Sequence, residues 1–235
     1  MYKMQGRVRY SECGIDNQIK IPAIINYFQD CTTENSETIG VGHHYLVERK
    51  RAWILNSWQV EIMRRPQAGE SIEVSTWATD FKGVFGPRDF CMETAEGEEL
   101  ARAHSLWVYI DTESGKPVKP MQEEIAVYEV GAPISMEEVS RKIKVPEGAL
   151  EVDTFPVHRY HIDTNAHVNN SKYIELACEG LSEEFEVQKL CVEYKKAAVL
   201  GDRIVLKRLV EKERIVVELC DKEGSTYAIV EFMGE

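Results

Sequence analysis

The sequence predicts an α+β fold made of two copies of one unit, each a helix followed by an antiparallel meander of strands. Three observations predict it: an internal repeat, two amphipathic helix candidates, and strand-like runs that follow each helix in groups of four. A single helix packed on one sheet leaves a sheet face to cover, and a second copy can cover it. We therefore expect a fused pseudo-dimer, equivalent to a two-fold homodimer in one chain.

The repeat is clearest between WQVEIMRRPQAGESIEV at 58–74 and LCVEYKKAAVLGDRIVL at 190–206. The two segments align without gaps at an offset of 132 residues, and Gly69 falls on Gly201. Each reads as a strand, a turn with Gly next to an acid, and a second strand. The predicted strands are 53–63, 71–80, 84–93 and 99–111 in the first copy, and 187–196, 202–210, 213–221 and 225–233 in the second.

Each repeat is preceded by a helix candidate. The first has Pro22 near its start and Gly40 beyond its end, and the second has Asn169 or Asn170 as a possible N-cap. A weaker match, at an offset of 147, aligns Asp16 with the acid of the second copy. The change of offset leaves 15 extra residues in the first copy, around GVGHHYLVERKR.

A proline-rich stretch separates the copies. Five of the eight prolines lie between residues 117 and 156, and proline resists long regular elements. We expect domains at 1–111 and 156–235, joined by a connector at 112–155. The segment SMEEVSRKI in this connector has the Ser-x-x-Glu pattern of a capping box and predicts one short helix.

Composition excludes several classes of protein. The net charge is −12, which argues against a general nucleic-acid or anionic-membrane binder. No apolar run is long enough to cross a bilayer, and the N-terminus has no apolar core of a secretory signal. The six cysteines form no CxxC pair, so we expect reduced, mostly buried thiols in a cytoplasmic protein, without a metal or cofactor.

The densest polar cluster is DTNAHVNN, just before the second helix. It places Asp163, Asn165 and His167 two residues apart, so an extended segment would point all three the same way. Histidine moves protons near neutral pH, an Asn amide can donate to a carbonyl oxygen, and free N–H groups at a helix start can stabilise an oxyanion. These parts suit acyl transfer to water.

Such residues also serve as simple caps and turns, and this alternative stays open. The first copy has Gln18 and Lys20 at the positions that the offset of 147 assigns to Asn165 and His167, so it lacks the histidine. We therefore expect one site per chain. Four further histidines are expected at the surface: His43, His44, His158 and His161.

DTNAHVNNSKYIE, following VHRYHI, resembles the signature of the bacterial and plant acyl-acyl carrier protein thioesterases, and the similarity covers the whole chain. The resemblance implies two tandem hot-dog domains, in which a sheet wraps around a helix. It also implies cofactor-independent hydrolysis of fatty acyl thioesters, with Asp163, Asn165 and His167 as catalytic residues.

One segment departs from the family pattern. Plant members carry Glu and Cys where this chain has Ala197 and Ala198, so a cysteine nucleophile at that position is excluded. The resemblance identifies the missing Glu as a fourth catalytic residue. Candidates to replace it are Glu193, Glu175 and Glu179. We expect Asn165 and a helix-terminal N–H to polarise the carbonyl, with Asp163 or His167 activating a water.

An acidic acyl carrier protein would need a local basic face. The candidates are Arg64, Arg65, Lys82, Arg88, Lys195 and Lys196. The acyl chain is expected in an apolar tunnel lined by residues from Ile24–Phe28 and by the strands of Trp53 and Trp58.

Three rival functions stay open: an acyl-CoA thioesterase, a catalytically dead acyl-binding module, and a hot-dog dehydratase or hydratase. No nucleic-acid or membrane partner is expected, and a homodimer is compatible with the sequence.

Overall fold

The computed structural model describes residues 1–137, 139–145, 147–182 and 184–235. Four helices and ten strands are defined within these ranges, together with two short 3₁₀ turns. The helices are α1 (Ile21–Thr38), α2 (His43–Glu48), α3 (Gln122–Ile125) and α4 (Asn170–Cys178), and the 3₁₀ turns are Tyr10–Glu12 and Arg159–His161. The strands are β1 (Tyr2–Arg7), β2 (Arg51–Ile62), β3 (Ser71–Ala78), β4 (Phe85–Thr94), β5 (Glu99–Asp111), β6 (Leu150–Pro156), β7 (Val187–Tyr194), β8 (Arg203–Val210), β9 (Arg214–Cys220) and β10 (Thr226–Gly234).

The chain divides into two compact units with the same strand order. The first comprises Met1–Asn56 and Ile62–Glu137, and its strands run β1-β3-β4-β5-β2. The second comprises Ser57–Glu61 and Glu138–Glu235, and its strands run β6-β8-β9-β10-β7, with Ser57–Glu61 paired antiparallel to β7. Helices and antiparallel strands thus confirm the predicted α+β class.

Each predicted strand is present with ends shifted by at most two residues. The repeated segments correspond as predicted at an offset of 132, since β3 and β8 begin at Ser71 and Arg203. In the turns before them, Gly69 and Gly201 adopt φ angles of 85° and 95°, which favour glycine over residues with a Cβ.

Two strands were not predicted. β1 pairs with β3, and β6 pairs with β8, both antiparallel. Each is the outermost strand in its order, and β6 begins inside the predicted connector. Their sequences, YKMQGR and LEVDTFP, lack a continuous apolar signal because an edge strand needs little burial.

The upstream part of the repeat corrects our alignment. Val8 donates to Glu70 O at 2.9 Å, and Val157 donates to Asp202 O at 2.8 Å. These equivalent bonds set Val8 against Val157, an offset of 149 rather than 147. The two 3₁₀ turns and the two helix N-caps, Lys20 and Asn169, follow the same offset.

The helices pack by apolar faces onto their sheets. In the first unit, Phe28 of α1 is fully buried and its ring centroid lies 5.1 Å from that of Phe90. In the second, Ile174 and Ala177 of α4 are fully buried. With the corrected offset the first copy has 17 extra residues (149 − 132), and a longer α1 and the additional helix α2 account for most of them.

The connector packs on the sheets and contains a different helix from the one predicted. The described residues of SMEEVSRKI are not helical, and its capping-box acid, Glu138, lies outside the described residues. A single-turn helix, α3, occurs earlier instead. Ile143 packs against Cys191, Val216 and Ile229 of the second unit.

Two further findings concern cysteines and membrane spans. All six cysteines are free and four of them are buried, as expected. None of the helices within the described ranges is both long and apolar enough to cross a membrane.

The two 3₁₀ turns are closed in the same way by different side chains. In the first unit, Glu12 accepts the Arg9 amide N–H at 2.7 Å. In the second, Nδ1 of His161 accepts the His158 amide N–H at 3.1 Å. This places the ring proton of neutral His161 on Nε2. His161 is only 6% exposed, so our prediction of a surface residue was wrong.

We expect Gly201→Ala to destabilise the protein by about 1–2 kcal/mol, because an alanine at positive φ is strained while no atom lies within 4 Å to add a clash. Gly201→Asn should lose less unfolding free energy than Gly201→Ala, since Asn tolerates positive φ. Denaturant unfolding measures both. An Ala variant as stable as the parent would show that the turn relaxes without cost.

Acid should weaken the fold through His161. Burial, followed by the charges of Lys172 and His158, lowers the pKa of His161 below 6.5. The unfolded chain then binds more protons as pH falls below about 6.5, so the free energy of unfolding decreases through that range. His161→Gln keeps an acceptor but cannot titrate. The melting temperature should therefore decrease less between pH 8 and pH 5 in the variant than in the parent. Equal decreases would show that His161 does not cause the acid sensitivity.

Candidate active site

The cluster Asp163–His167 forms a tight turn between two short paired segments, closed by an isolated bridge between Ile162 and Val168. Asp163 N donates to His167 O at 2.8 Å, and the Asp163 carboxylate accepts the amide N–H of Asn165 at 2.8 Å. The same oxygen accepts the His167 amide at 3.4 Å. Asp163 therefore holds the turn through backbone groups.

The expectation of an extended segment was wrong. Ala166 has φ of 62°, so the chain reverses between Asn165 and His167 rather than alternating. The Asn165 and His167 side chains are exposed, and Asp163 is half-buried. The turn thus presents an amide and an imidazole to solvent while the carboxylate is engaged beneath them.

The start of α4 is capped by its own N-terminal residue. The Asn169 side chain accepts the Ser171 amide N–H at 2.9 Å, and Asn169 O accepts the Lys172 amide at the same distance. The N-cap prediction at Asn169 is confirmed. These two amides are satisfied within the helix start, so we do not assign them to an oxyanion.

The turn is fixed to the loop after β7. Val168 N donates to Ala198 O at 2.9 Å, and Ala198 N donates to the hydroxyl oxygen of Tyr173 at 2.7 Å. Burial raises the pKa of Tyr173 to about 12, so its hydroxyl stays protonated at neutral pH. Ala197 is exposed and lies next to this junction. Tyr173 is buried, and its pairing with Ala198 has no local signal in the sequence.

The acidic residues considered as substitutes are placed differently. Glu193 accepts the Ile143 amide at 3.0 Å and lies 3.6 Å from Lys195. Glu175 binds Lys172 at 2.5 Å. Glu179 is exposed at the end of α4. Glu193 and Glu175 are thus committed to other partners.

The first unit has the same hairpin without the histidine. Gly14 N donates to Gln18 O at 2.9 Å, and Asn17 has φ of 59°. With the corrected offset, Gln18 rather than Lys20 is the counterpart of His167. Asp16 binds Arg65 there, with a nitrogen–oxygen distance of 2.5 Å.

Most basic candidates are already ion-paired. Arg64 binds Glu70 and Glu98, Arg65 binds Asp16, Lys195 binds Glu193 and Lys196 binds Asp221. Arg88 is 5% exposed, so its assignment to a surface patch was wrong. Its guanidinium donates to Asn35 at 3.0 Å and to Thr76 at 3.1 Å. Lys82 is exposed.

Other titratable side chains do not extend the site. His43 and His44 lie on α2 and are exposed. Within the described part of the chain, no group of three or more His, Cys, Asp or Glu side chains is placed to hold a metal ion.

Family models match both parts of the chain. The acyl-ACP thioesterase N-terminal domain matches residues 1–128, and the acyl-ACP thioesterase C-terminal domain matches residues 145–230. The second match contains the hairpin and α4.

Curated relatives and solved structures agree with these matches. A chloroplastic acyl-[acyl-carrier-protein] hydrolase of Cuphea viscosissima is 26% identical over 83% of this chain and 51% of its own length. A palmitoyl-acyl carrier protein thioesterase of Arabidopsis thaliana is 27% identical over 83% of this chain and 52% of its own length. The chain thus spans about half the length of these relatives.

The solved structures support the fold. An acyl-ACP thioesterase of Bacteroides thetaiotaomicron is 21% identical and has a TM-score of 0.91, covering 99% of this chain and 97% of its own. A 12:0-ACP thioesterase of Umbellularia californica is 21% identical, with a TM-score of 0.88 over 100% of this chain and 96% of its own. The fold is therefore of the hot-dog type, and the chain belongs to the acyl-ACP thioesterase family.

Proposed function

We propose that this chain hydrolyses the thioester of fatty acyl-acyl carrier protein and releases free fatty acid and holo-carrier. The observation that carries the proposal is the hairpin of the second unit. It presents Asn165 and His167 to solvent on a turn held by Asp163, within the part of the chain that matches the family's C-terminal domain.

In the proposed mechanism, Asn165 donates its amide N–H to the thioester carbonyl oxygen and stabilises the negative charge that forms there. His167 accepts a proton from water, which attacks the carbonyl carbon. Asp163 acts as a positioning residue, because its carboxylate binds the backbone amides that orient the other two. We keep all three in the proposed site.

Loss of the family's Glu at Ala197 is compatible with this scheme. The leaving group is a thiolate, and an ordinary thiol has a pKa of about 8.5, so expulsion needs little help from a general acid. Ala197 is also the observation that favours a catalytically weak or dead acyl-binding module as the second candidate. Coenzyme A esters and hydratase chemistry are tested in the same assay.

We also propose a cytoplasmic location, in keeping with six free cysteines, and a domain division at the 112–155 connector. An acyl carrier protein as the partner is part of the proposal. A homodimer stays a prediction, and the molecular mass from analytical ultracentrifugation tests it.

The assay follows free thiol released from acyl-carrier and acyl-CoA esters of graded length. We expect Asn165→Ala and His167→Ala each to lower kcat by about 10²–10⁴-fold, the range for loss of an oxyanion donor or a general base. Thr164→Ala, an exposed change in the same turn, is the control and should hydrolyse like the parent. Binding without thiol release would favour the dead module, and water addition to an unsaturated chain would favour a hydratase.

Asp163 variants separate turn formation from charge. Asp163→Asn keeps an oxygen that can accept the Asn165 amide, so we expect near-parental stability. Asp163→Ala removes the acceptor and should cost about 1 kcal/mol of unfolding free energy, together with lower kcat. Equal stability and activity in the parent and Asp163→Ala would contradict a positioning role.

A further inference from the structure

Two cationic side chains flank the hairpin, in a chain whose net charge is −12. Arg159 in the 3₁₀ turn and Lys172 in the first turn of α4 flank the motif. The only acid between them in sequence is Asp163, whose carboxylate is engaged by backbone amides. Basic side chains thus lie on both sides of the motif in the sequence.

Arg159 is the free cation of this region. Its side chain is exposed, and no described residue forms a hydrogen bond or ion pair with its guanidinium. Lys172, in contrast, binds Glu175 at 2.5 Å and is less than one-third exposed. Most of the basic candidates elsewhere are ion-paired. Arg159, in contrast, is available for an external anion.

The two units provide an internal comparison. The first forms the same 3₁₀ turn, hairpin and helix start without basic residues at four positions that carry them in the second unit, so the fold does not require basic residues at those four positions. Residues Arg159, His161, His167 and Lys172 correspond to Tyr10, Glu12, Gln18 and Ala23. Two exchanges run the other way: Arg9, which lies 3.8 Å from Glu12, corresponds to His158, and Lys20 corresponds to Asn169. At these four positions, basic residues occur only in the unit that has the histidine motif.

We infer that Arg159, assisted by Lys172, binds the phosphate of the phosphopantetheine arm through which a carrier presents its acyl thioester. This rests on the proposed function. A guanidinium donates two parallel N–H groups to a phosphate, and a single unpaired cation matches a single anionic group better than an extended acidic surface. Arg159 and Asp163 are four positions apart in the chain, at most about 14 Å between Cα atoms, so one extended arm can reach both the cation and the turn.

The test uses three substrates that carry the same acyl group: acyl-pantetheine without phosphate, acyl-4′-phosphopantetheine, and acyl-carrier protein. The variants are Arg159→Tyr and Lys172→Ala, which introduce residues that the first unit tolerates at the same positions. We expect Arg159→Tyr to raise KM for both phosphate-bearing substrates about tenfold, with kcat unchanged, and to leave acyl-pantetheine unaffected. Lys172→Ala should have a smaller effect in the same direction, because Glu175 already offsets its charge.

Lys212→Ala is the matched control, since Lys212 is an exposed cation in the β8–β9 turn of the same unit and lies next to Glu213. It should leave all three KM values unchanged. The parent's KM for the phosphate-bearing substrates should also rise with ionic strength.

Three results would overturn the inference. They are an unchanged KM in Arg159→Tyr, an equal rise for acyl-pantetheine, or an effect confined to acyl-carrier protein, which would assign Arg159 to the carrier's acidic surface. If the parent hydrolyses none of the substrates, the proposed function fails instead. Calorimetric binding of 4′-phosphopantetheine to the parent and to Arg159→Tyr then still decides the role of Arg159, and equal affinities would refute it.

Discussion

A backbone hydrogen bond that recurs in both units determines where each helix begins. Ile19 N donates to Pro66 O in the first unit, and Val168 N donates to Ala198 O in the second, both at 2.9 Å. Each bond joins the hairpin before the helix to the loop after the first strand that follows it. Because the buried face of the helix must meet the sheet, this junction fixes the hairpin relative to both. The proposed site depends on it, since the site residues lie in that hairpin.

The junction also explains paired differences between the units. Ala198 has an amide N–H, which the Tyr173 hydroxyl accepts. The counterpart of Ala198 is Pro66, which has no N–H, and the counterpart of Tyr173 is Ile24, which has no acceptor. A donor and its acceptor are thus present together or absent together. This is expected because a buried amide without a partner costs about 1–3 kcal/mol.

A second pair of differences follows the same rule. Glu12 closes its 3₁₀ turn and accepts the Tyr27 hydroxyl at 2.9 Å. In the second unit, His161 closes the turn, and Leu176 replaces the tyrosine. The backbone bonds are retained while the side chains that satisfy them differ. One copy could therefore acquire an imidazole and a guanidinium around its hairpin without loss of the fold.

The sequence by itself determined the class, order and limits of the main elements, because apolar periodicity and the Gly-acid turns are local signals. It also determined that only one copy carries the histidine. Tertiary structure decided which groups pair over long sequence separations. It showed that Asp163 holds a turn, that His161 and Arg88 are buried, that most of the basic candidates are ion-paired, and that the upstream offset is 149. The edge strands β1 and β6 were likewise recognised only from their pairing with β3 and β8. These outcomes depend on hydrogen-bond and charge partners that residue spacing does not specify, since a polar residue is stable wherever its donors and acceptors are satisfied.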